Sequence, residues 1–532
     1  MEHRFNVEID LEGPGNSEFY IPAEAWRWWL IQLVVQNSLT QPAATFSMTL
    51  DPTAVVKGRP LHEVVPLYAK ITITATAEPY TEGTPQVLLI GIVDSISFSA
   101  NYGSSAPART IQMTGRAMAG VLADQAWWHN SYLVGVAQGR LAGPAGPQGQ
   151  LPPIVNIPTD AAEFFEVVPG AQSLGEQIKT DALRFLAIDP SIWTSNIGRH
   201  PAYLQETAFN YFIRGGDPTT EVARLPFCRS EWNGVHISQF LRFDAALAFE
   251  RSVDKQGAVI RQYLPGSMEH SSCWDLLQHF SLRYLGELYS ESFGTGAGDA
   301  RCQIISRKPP WAGHITYTDG GQPKLAFSNQ PPPPVKILRY APEGSSLFDS
   351  LDSPWAVKTI KVGGDDIDGT PSLQVSHQEC FNIYTVRPIG LFTAGPATGH
   401  AGGLAELLAP PVIDSLADSP SSVLKYGPRP LRVDMISIPW NEPGLAQLYI
   451  FERCVVHEVL LRQWFYLSPL FQHGTYVLRG NPKVRVGRRL FGTISRYEYY
   501  ITQVSHRFTF GPASTPSYTT TATVSRGWKI DG

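Results

Sequence analysis

The chain has little cysteine and little charge. Its five cysteines, Cys228, Cys273, Cys302, Cys380 and Cys454, are scattered over 532 residues with no close pair. That pattern excludes a disulfide framework and a paired-cysteine zinc site, and it suits free buried thiols in a reducing cytoplasm. Only 17% of the residues are Asp, Glu, Lys or Arg, and the formal net charge is −5. A chain without a basic footprint does not grip nucleic acid tightly, so any DNA contact is expected to be passage rather than binding. The longest apolar run, around Trp28 to Val35, falls well short of the ~20 residues that cross a bilayer. The start, Met1 to Phe5, lacks the apolar segment of a signal peptide, so a soluble chain that is not exported by the standard route is expected.

Catalytic signatures are missing too. There are 13 histidines but no H-E-x-x-H or H-x-H pair, and His457-Glu458 reads as a surface pair. Asp365, Asp366 and Asp368 outwardly resemble a calcium loop, yet the bidentate Glu and flanking helices of an EF-hand are lacking, so a solvated turn between strands is expected. No G-x-S-x-G or P-loop occurs. Gly115 to Gly120 resembles a glycine fingerprint only superficially, without the parallel-strand context that chemistry needs. The 47 acidic residues cannot be sorted into a catalytic pair by sequence. The expectation is a chain that is not an enzyme, with no catalytic, cofactor-binding or metal-binding residues and no cofactor.

What the sequence does have is the composition of a packed β protein. Hydrophobic residues make up 43% and aromatic residues 11%, and 46 Gly with 43 Pro punctuate many short elements. Disorder is excluded, and three or four domains are expected. The clearest stretch runs from His473 to Trp528. Val484 and Val486 alternate with Lys483 and Arg485 before Gly487. Tyr500, Val504, Phe508 and Phe510 then share one face, with Gln503, Ser505, Arg507 and Thr509 on the other, and a threonine-rich run spans Tyr518 to Val524. A period of two is a strand with one buried and one polar face, so a continuous antiparallel unit is expected here.

Residues 5 to about 125 predict a first β domain. Phe46, Met48 and Leu50 share one strand face, as do Ile71, Ile73, Ala75 and Ala77, and Asp51-Pro52 and Glu78-Pro79 end those runs. Two further strands flank a polar loop at Asn101 to Pro107, and residues 115–128 are expected to be helical from the spacing of Met118, Val121 and Leu122. Trp26, Trp28 and Trp29 are read as core or interface rings. In the region 131–265 the expectations are a flexible loop at Gly143 to Gly149, a helix at Ser173 to Leu186, and packing around Trp193, Tyr203, Phe209, Tyr211 and Phe212. Ser272 to Asp275 fits a capping box opening a helix with Trp274, Leu276, Leu277 and Phe280 on its stripe. Two strands around Gly294 to Gly298 follow. Beyond the extended spacer Pro331 to Pro334 come strands at 335–390, a loop at 395–422, and a helix from Leu445 to Trp464 with Leu448, Phe451, Val455 and Val459 on one face.

Several of these stretches share a resemblance. "GTYVLRGNPKVRVGRRL", with Gly480, Pro482, Val484, Val486 and Gly487, is followed by Tyr499 to His506 and by Thr519 to Gly527. In that order they resemble the C-terminal barrel of baseplate hub proteins from long-tailed (contractile-tail) bacteriophages. "WDLL…GELYSES…GDARCQIISRKPPW", closing at Arg307, Lys308, Pro310 and Trp311, resembles the central helix and hairpin of the same family. Ser376 to Val386 is similar to the strand with which its second barrel resumes. The first barrel is matched by "GIVDSISFS" and its return strand, except that Ala117 stands where members often carry an aspartate, with Asp124 later.

The resemblance covers roughly the first 125 residues, 268–390 and 425–528. It implies a mainly β chain with α+β parts: two tube-protein-like antiparallel β-barrel domains, a helix-and-hairpin domain and an irregular insertion. The implied boundaries are 1–125 for the first barrel, 126–266 for the insertion, 267–330 for the helix and hairpin, and 331–532 for the second barrel with a loop and helix insert at 395–470. As a member of that family the chain would form a homotrimer, a pseudo-hexameric ring joining the six-fold tail tube to the three-fold central spike. Its further partners would be other baseplate (wedge) proteins and, in transit through the lumen, DNA. It would not insert in a membrane, and it would reside in the virion tail baseplate after assembly in the host bacterial cytoplasm. Because the chain stops with its last barrel, the spike is expected to be a separate protein. Two other readings stand beside this one: a tail-associated peptidoglycan hydrolase with its site in 131–265, and a hub of a bacterial contractile injection system.

Overall fold

The computed structural model describes residues 4–124 apart from 14–18, 22 and 102–107; 231–232, 235–236 and 241–246; 272, 274–275 and 278; 287–307; 359–388 apart from 377–379; 412–413; 422–435; and 461, 465 and 468–529 apart from 512–513. The expected glycine-rich loop at 143–149, the helix at 173–186, the aromatics from Trp193 to Phe212, the tetraproline, His457-Glu458 and nearly all of the 395–422 loop and the 445–464 helix lie outside the described residues.

The first half comprises β1 (Phe5–Glu12), β2 (Tyr20–Ile21), helix α1 (Ala23–Trp29), β3 (Leu30–Ser38), β4 (Thr45–Leu50), the short pair β5 (Val55–Val56) and β6 (Arg59–Pro60), α2 (Leu61–Val64), β7 (Lys70–Ala77), β8 (Gln86–Asn101), β9 (Ala108–Ala117) and α3 (Val121–Asp124). Central pieces are β10 (Glu231–Trp232), β11 (Val235–His236), β12 (Leu241–Ala246), β13 (Glu287–Phe293) and β14 (Arg301–Arg307). The second half comprises β15 (Thr359–Val362), β16 (Ser372–Val375), β17 (Ile383–Pro388), β18 (Val412–Ile413), α4 (Ser422–Tyr426), β19 (Pro430–Met435), β20 (Gln472–Arg479), β21 (Arg489–Gly492), β22 (Tyr497–Gly511) and β23 (Ser514–Lys529). The chain is mainly β, and thirteen of these strands join in one sheet.

Alternation places the first core as expected. Phe46, Met48, Leu50, Ile71 and Ile73 are buried, and the run Val87 to Val93 is buried on both faces because the hairpin β13–β14 covers the side turned away from the core. Four expectations need correction. Residues 115–117 continue β9, and the helical turn begins only at Met118, since Gly115 and Arg116 still pair across to Val93 and Ile92. Asp124 at the end of that turn folds back on Arg116, which also meets Asp94 at 3.1 Å. Residues 480–488 form turns, not a strand: Val484 and Val486 are buried, but so is Arg485 between them. The three tryptophans divide, with Trp26 buried and in edge contact with Trp29 at 6.1 Å while Trp28 faces solvent. Ile383 to Pro388 lies outside the large sheet, in a three-stranded sheet with β18 and β19.

The two halves repeat one plan. The first orders its strands β3-β4-β9-β8-β7-β1, and the second β16-β20-β23-β22-β21-β15. Correspondence reaches single residues. The long strand β8 bulges between Val93 and Ser95, and β22 bulges between Ile501 and Gln503. Entering β7, Tyr68 N donates to Val93 O and Val93 N to Ala69 O; entering β21, Gly487 N donates to Ile501 O and Ile501 N to Arg488 O, all at 2.9 Å. Tyr68 and Gly487 share a left-handed backbone, with φ of 61° and 71°. One end differs: β1 runs antiparallel to β7, whereas β15 runs parallel to β21.

The capping box at Ser272 forms as expected. Ser272 N donates to Asp275 Oδ2 at 2.9 Å and Asp275 N donates to Ser272 Oγ at 3.1 Å, satisfying two otherwise open amides. Ser272→Ala is expected to cost about 1 kcal/mol, read as a lower urea midpoint at unchanged slope.

Candidate functional site

The feature that makes one body of the two halves is their junction, and it has three parts. The first is a strand seam. β22 pairs antiparallel with β3, from Gln503↔Ser38 through His506↔Val35 to Thr509↔Gln32, and Leu39 N extends the ladder to Thr502 O at 3.0 Å. The sheet therefore runs unbroken from one half into the other. Phe5 of β1 packs on the tip of the C-terminal hairpin, 6.1 Å from Phe508, 5.8 Å from Phe510 and 5.7 Å from Tyr518.

The second part is the hairpin β13–β14, whose alternation serves both halves at once. On one face Leu288, Cys302 and Ile304 join the first core; on the other Tyr289 and Ile305 join the second. Polar partners follow the same parity. Ser290 Oγ donates to Pro42 O at 3.0 Å, and Ser292 Oγ accepts from Ile90 N at 3.1 Å, both toward the first half. Glu287 and Glu291 point toward the second, where the Tyr500 hydroxyl lies 2.7 Å from Glu287. Burial pushes the Cys302 thiol up to about 12. It stays a neutral, unreactive thiol.

The third part is a buried polar knot. The Arg485 guanidinium donates to three carbonyls from three segments: Pro482 O at 3.0 Å, Ser292 O on the hairpin at 3.0 Å and Val87 O on β8 at 2.7 Å. Glu291 lies 3.8 Å from its Nε and is shared with Arg488 at 3.2 Å. Burial depresses the Arg485 pKa and Glu291 opposes it; a guanidinium so placed stays cationic. Behind it sits His506, buried, with its Nδ1 3.0 Å from the Tyr518 hydroxyl and 3.2 Å from Thr520 Oγ1. Burial, reinforced by the Arg485 charge, lowers His506 to about 3, so its ring is neutral. On the far side Tyr80 donates to Asp366 Oδ1 at 2.6 Å. The GGDDIDG turn is thus a tether between halves as well as a link between strands.

Each of these groups is turned inward onto backbone or a neighbouring side chain, so the knot fixes position. Among the described residues no group of three or more His, Cys, Asp or Glu side chains is placed to hold a metal ion. No helix among them is long and apolar enough to cross a membrane. Sequence reasoning named no site residues and missed this knot. The run Val484-Arg485-Val486 reads as strand alternation, which puts Arg485 in solvent, and only the turn at Pro482 carries a hint otherwise.

No protein-family model matches the chain, and no curated protein matches it. Among solved structures it is similar to a tail protein from Neisseria meningitidis MC58, with 9% identity and a TM-score of 0.39 over 98% of this chain and 96% of that one. It is similar to the 43 kDa tail protein of prophage MuSo2 from Shewanella oneidensis, with 11% identity and a TM-score of 0.40 over 97% and 98%. It is also similar to prophage tail protein gp18 from Listeria monocytogenes EGD-e, with 6% identity and a TM-score of 0.39 over 97% and 94%. At these values the likeness leaves the functional argument to the geometry of the chain itself.

Proposed function

We propose that the chain is a structural component of a phage-type tail, a baseplate hub whose copies close into a ring. The observation that carries this reading is the in-chain seam. The edge strand of one half pairs with the outer side of the long hairpin in the other, a contact between unlike edges of two units built on one plan. Such a heterologous contact, repeated around an axis, generates a ring when the rotation closes. With two units per chain, three chains supply six units, which fits a body placed between a six-fold tube and a three-fold spike. The motif resemblance in three regions points the same way. Tube, spike and wedge proteins are then the partners, and the virion baseplate the location. Three copies carry a formal charge of −15, three times −5, which lets DNA pass the lumen without being held.

The test is light scattering on the purified chain with negative-stain images of the same fraction. The expected result is a particle of three chains with a central hole, alone or after addition of tube and spike proteins. A chain that stays single in their presence at every concentration overturns the ring.

A further inference from the structure

We infer that β16 of one copy adds to the outer side of the β8 tip of the next copy, in the register Ile96↔Val375, Ser97↔Gln374, Phe98↔Leu373 and Ser99↔Ser372. The inference rests on the ring reading and names its contact. It comes from superposing the repeat on itself. The shared bulge makes Ser95 the counterpart of Gln503, so Ile96, Ser97, Phe98 and Ser99 correspond to Val504, Ser505, His506 and Arg507. Through β4 and β20, each paired with the return strand of its hairpin, Val34 to Asn37 correspond to Ser372 to Val375. The β22–β3 register inside the chain then dictates the β8–β16 register between chains.

Three further observations agree. Among the described residues nothing pairs with the outer side of β8 beyond Val93 or with the outer side of β16, although their counterparts are paired with each other. The inferred register matches apolar with apolar and polar with polar. Phe98 is 42% exposed whereas its counterpart His506 is buried at 5%, and Ile96 and Leu373 are only half-buried whereas their counterparts Val504 and Val35 are buried at 2% each; Val375, the counterpart of Asn37, is 53% exposed. Such exposed apolar residues on an open strand edge invite pairing. β16 is also seated firmly enough to serve as an edge: at Gly474, opposite Leu373, a Cβ would stand 1.9 Å from Ser372 O, so only glycine lets the strands approach.

The test is a crosslink in the full chain. Leu39 and Thr502 are a hydrogen-bonded pair, so the Gln36–Ser505 pair, three residues on, is of the closer, non-hydrogen-bonded kind, with Cα atoms about 4.5 Å apart, within disulfide reach. By correspondence, Ser97→Cys with Gln374→Cys is expected to give disulfide-linked multimers on mild oxidation. Ser95→Cys with Ser372→Cys is displaced by four residues, roughly 13 Å, and is expected to give none; the four single variants report background from native cysteines. Phe98→Glu is expected to weaken association at least about tenfold; because Phe98 also stacks on His62 at 5.1 Å, Phe98→Ala, which gives up the same stack without adding a charge, is the control for the unfolding midpoint. Light scattering on the same samples separates the two readings. A three-chain particle in which the paired cysteines do not crosslink, or crosslink no better than the displaced pair, or which Phe98→Glu leaves intact, overturns the seam and leaves the hub. A chain that is single throughout and never crosslinks overturns both.

Discussion

Replacing Arg485 with alanine is expected to destabilise the chain by about 3–5 kcal/mol, the range found when one partner of a buried ion pair is removed. The loss has two sources. Pro482, Ser292 and Val87 each lose a charged donor to a carbonyl that has been shielded from water, and Glu291 is left with Arg488 alone. Because the three carbonyls belong to the C-terminal turn, the hairpin and β8, the damage falls on the docking of the halves more than on either core. Two probes make this visible. Urea unfolding followed by tryptophan fluorescence and by far-UV circular dichroism should coincide in the parent chain and separate in the variant, with the junction opening first. Arg485→Lys should recover only part of the loss, since a single ammonium cannot reach three carbonyls set around a planar fork. A drop below about 1 kcal/mol for Arg485→Ala would mean that water enters and takes over the bonds, and the knot would then not be what unites the halves.

How far the sequence discloses this follows from the kind of pattern each part carries. The strands β4, β22 and β23 are legible because each has a stretch with one wet and one dry face, so a period of two appears directly in Phe46-Ser47-Met48 or Val504-Ser505-His506; β7 shows the same period in its residue types although Thr72 and Thr74 on its second face are buried too. The capping box is legible because its two side chains sit three residues apart in the chain. The pairing of β3 with β22 is not legible, since more than 450 residues separate the partners and alternation names a face, never the neighbour on the edge. The repeat is hidden for a related reason: the shared bulge and left-handed turn are backbone properties, filled by Tyr68 in one half and Gly487 in the other. Arg485 is hidden deepest. A buried arginine differs from an exposed one only in what surrounds it, and here the surroundings come from residues 87, 291 and 292. The double burial of the hairpin does leave a trace, because Leu288-Tyr289-Ser290 and Cys302 to Ile305 are buried on successive positions rather than alternate ones. A short strand without alternation is one covered on both sides.

The same knot predicts how stability changes with acidity. His506 is held near 3 in the folded chain, first by burial and then by the charge of Arg485, with a hydrogen bond to the Val484 backbone working the other way. In the unfolded chain it titrates near 6.5. Above that pH both states carry a neutral ring and the full stability is present. As pH falls below it, the unfolded chain takes up a proton that the folded chain refuses, and stability drops by up to about 1.4 kcal/mol per pH unit until the folded ring titrates. The window is therefore about 6.5 down to about 3, and the accumulated loss by pH 4 is on the order of 3 kcal/mol. His506→Gln keeps a polar side chain beside Tyr518 and Thr520 but cannot be protonated. It is expected to be less stable than the parent at pH 7 and to lose less between pH 7 and pH 4. Carboxylates do not mimic this difference. Asp299, for example, is raised by burial but lowered further by bonds from Thr295 and Gly296, and its net pKa lies below the usual value. Its contribution is present above the ordinary carboxylate range, is lost only as pH falls below it, and is common to both proteins. Parallel stability curves for parent and His506→Gln would place the acid sensitivity outside the knot, whereas curves that converge toward pH 4 locate it at the junction of the two halves.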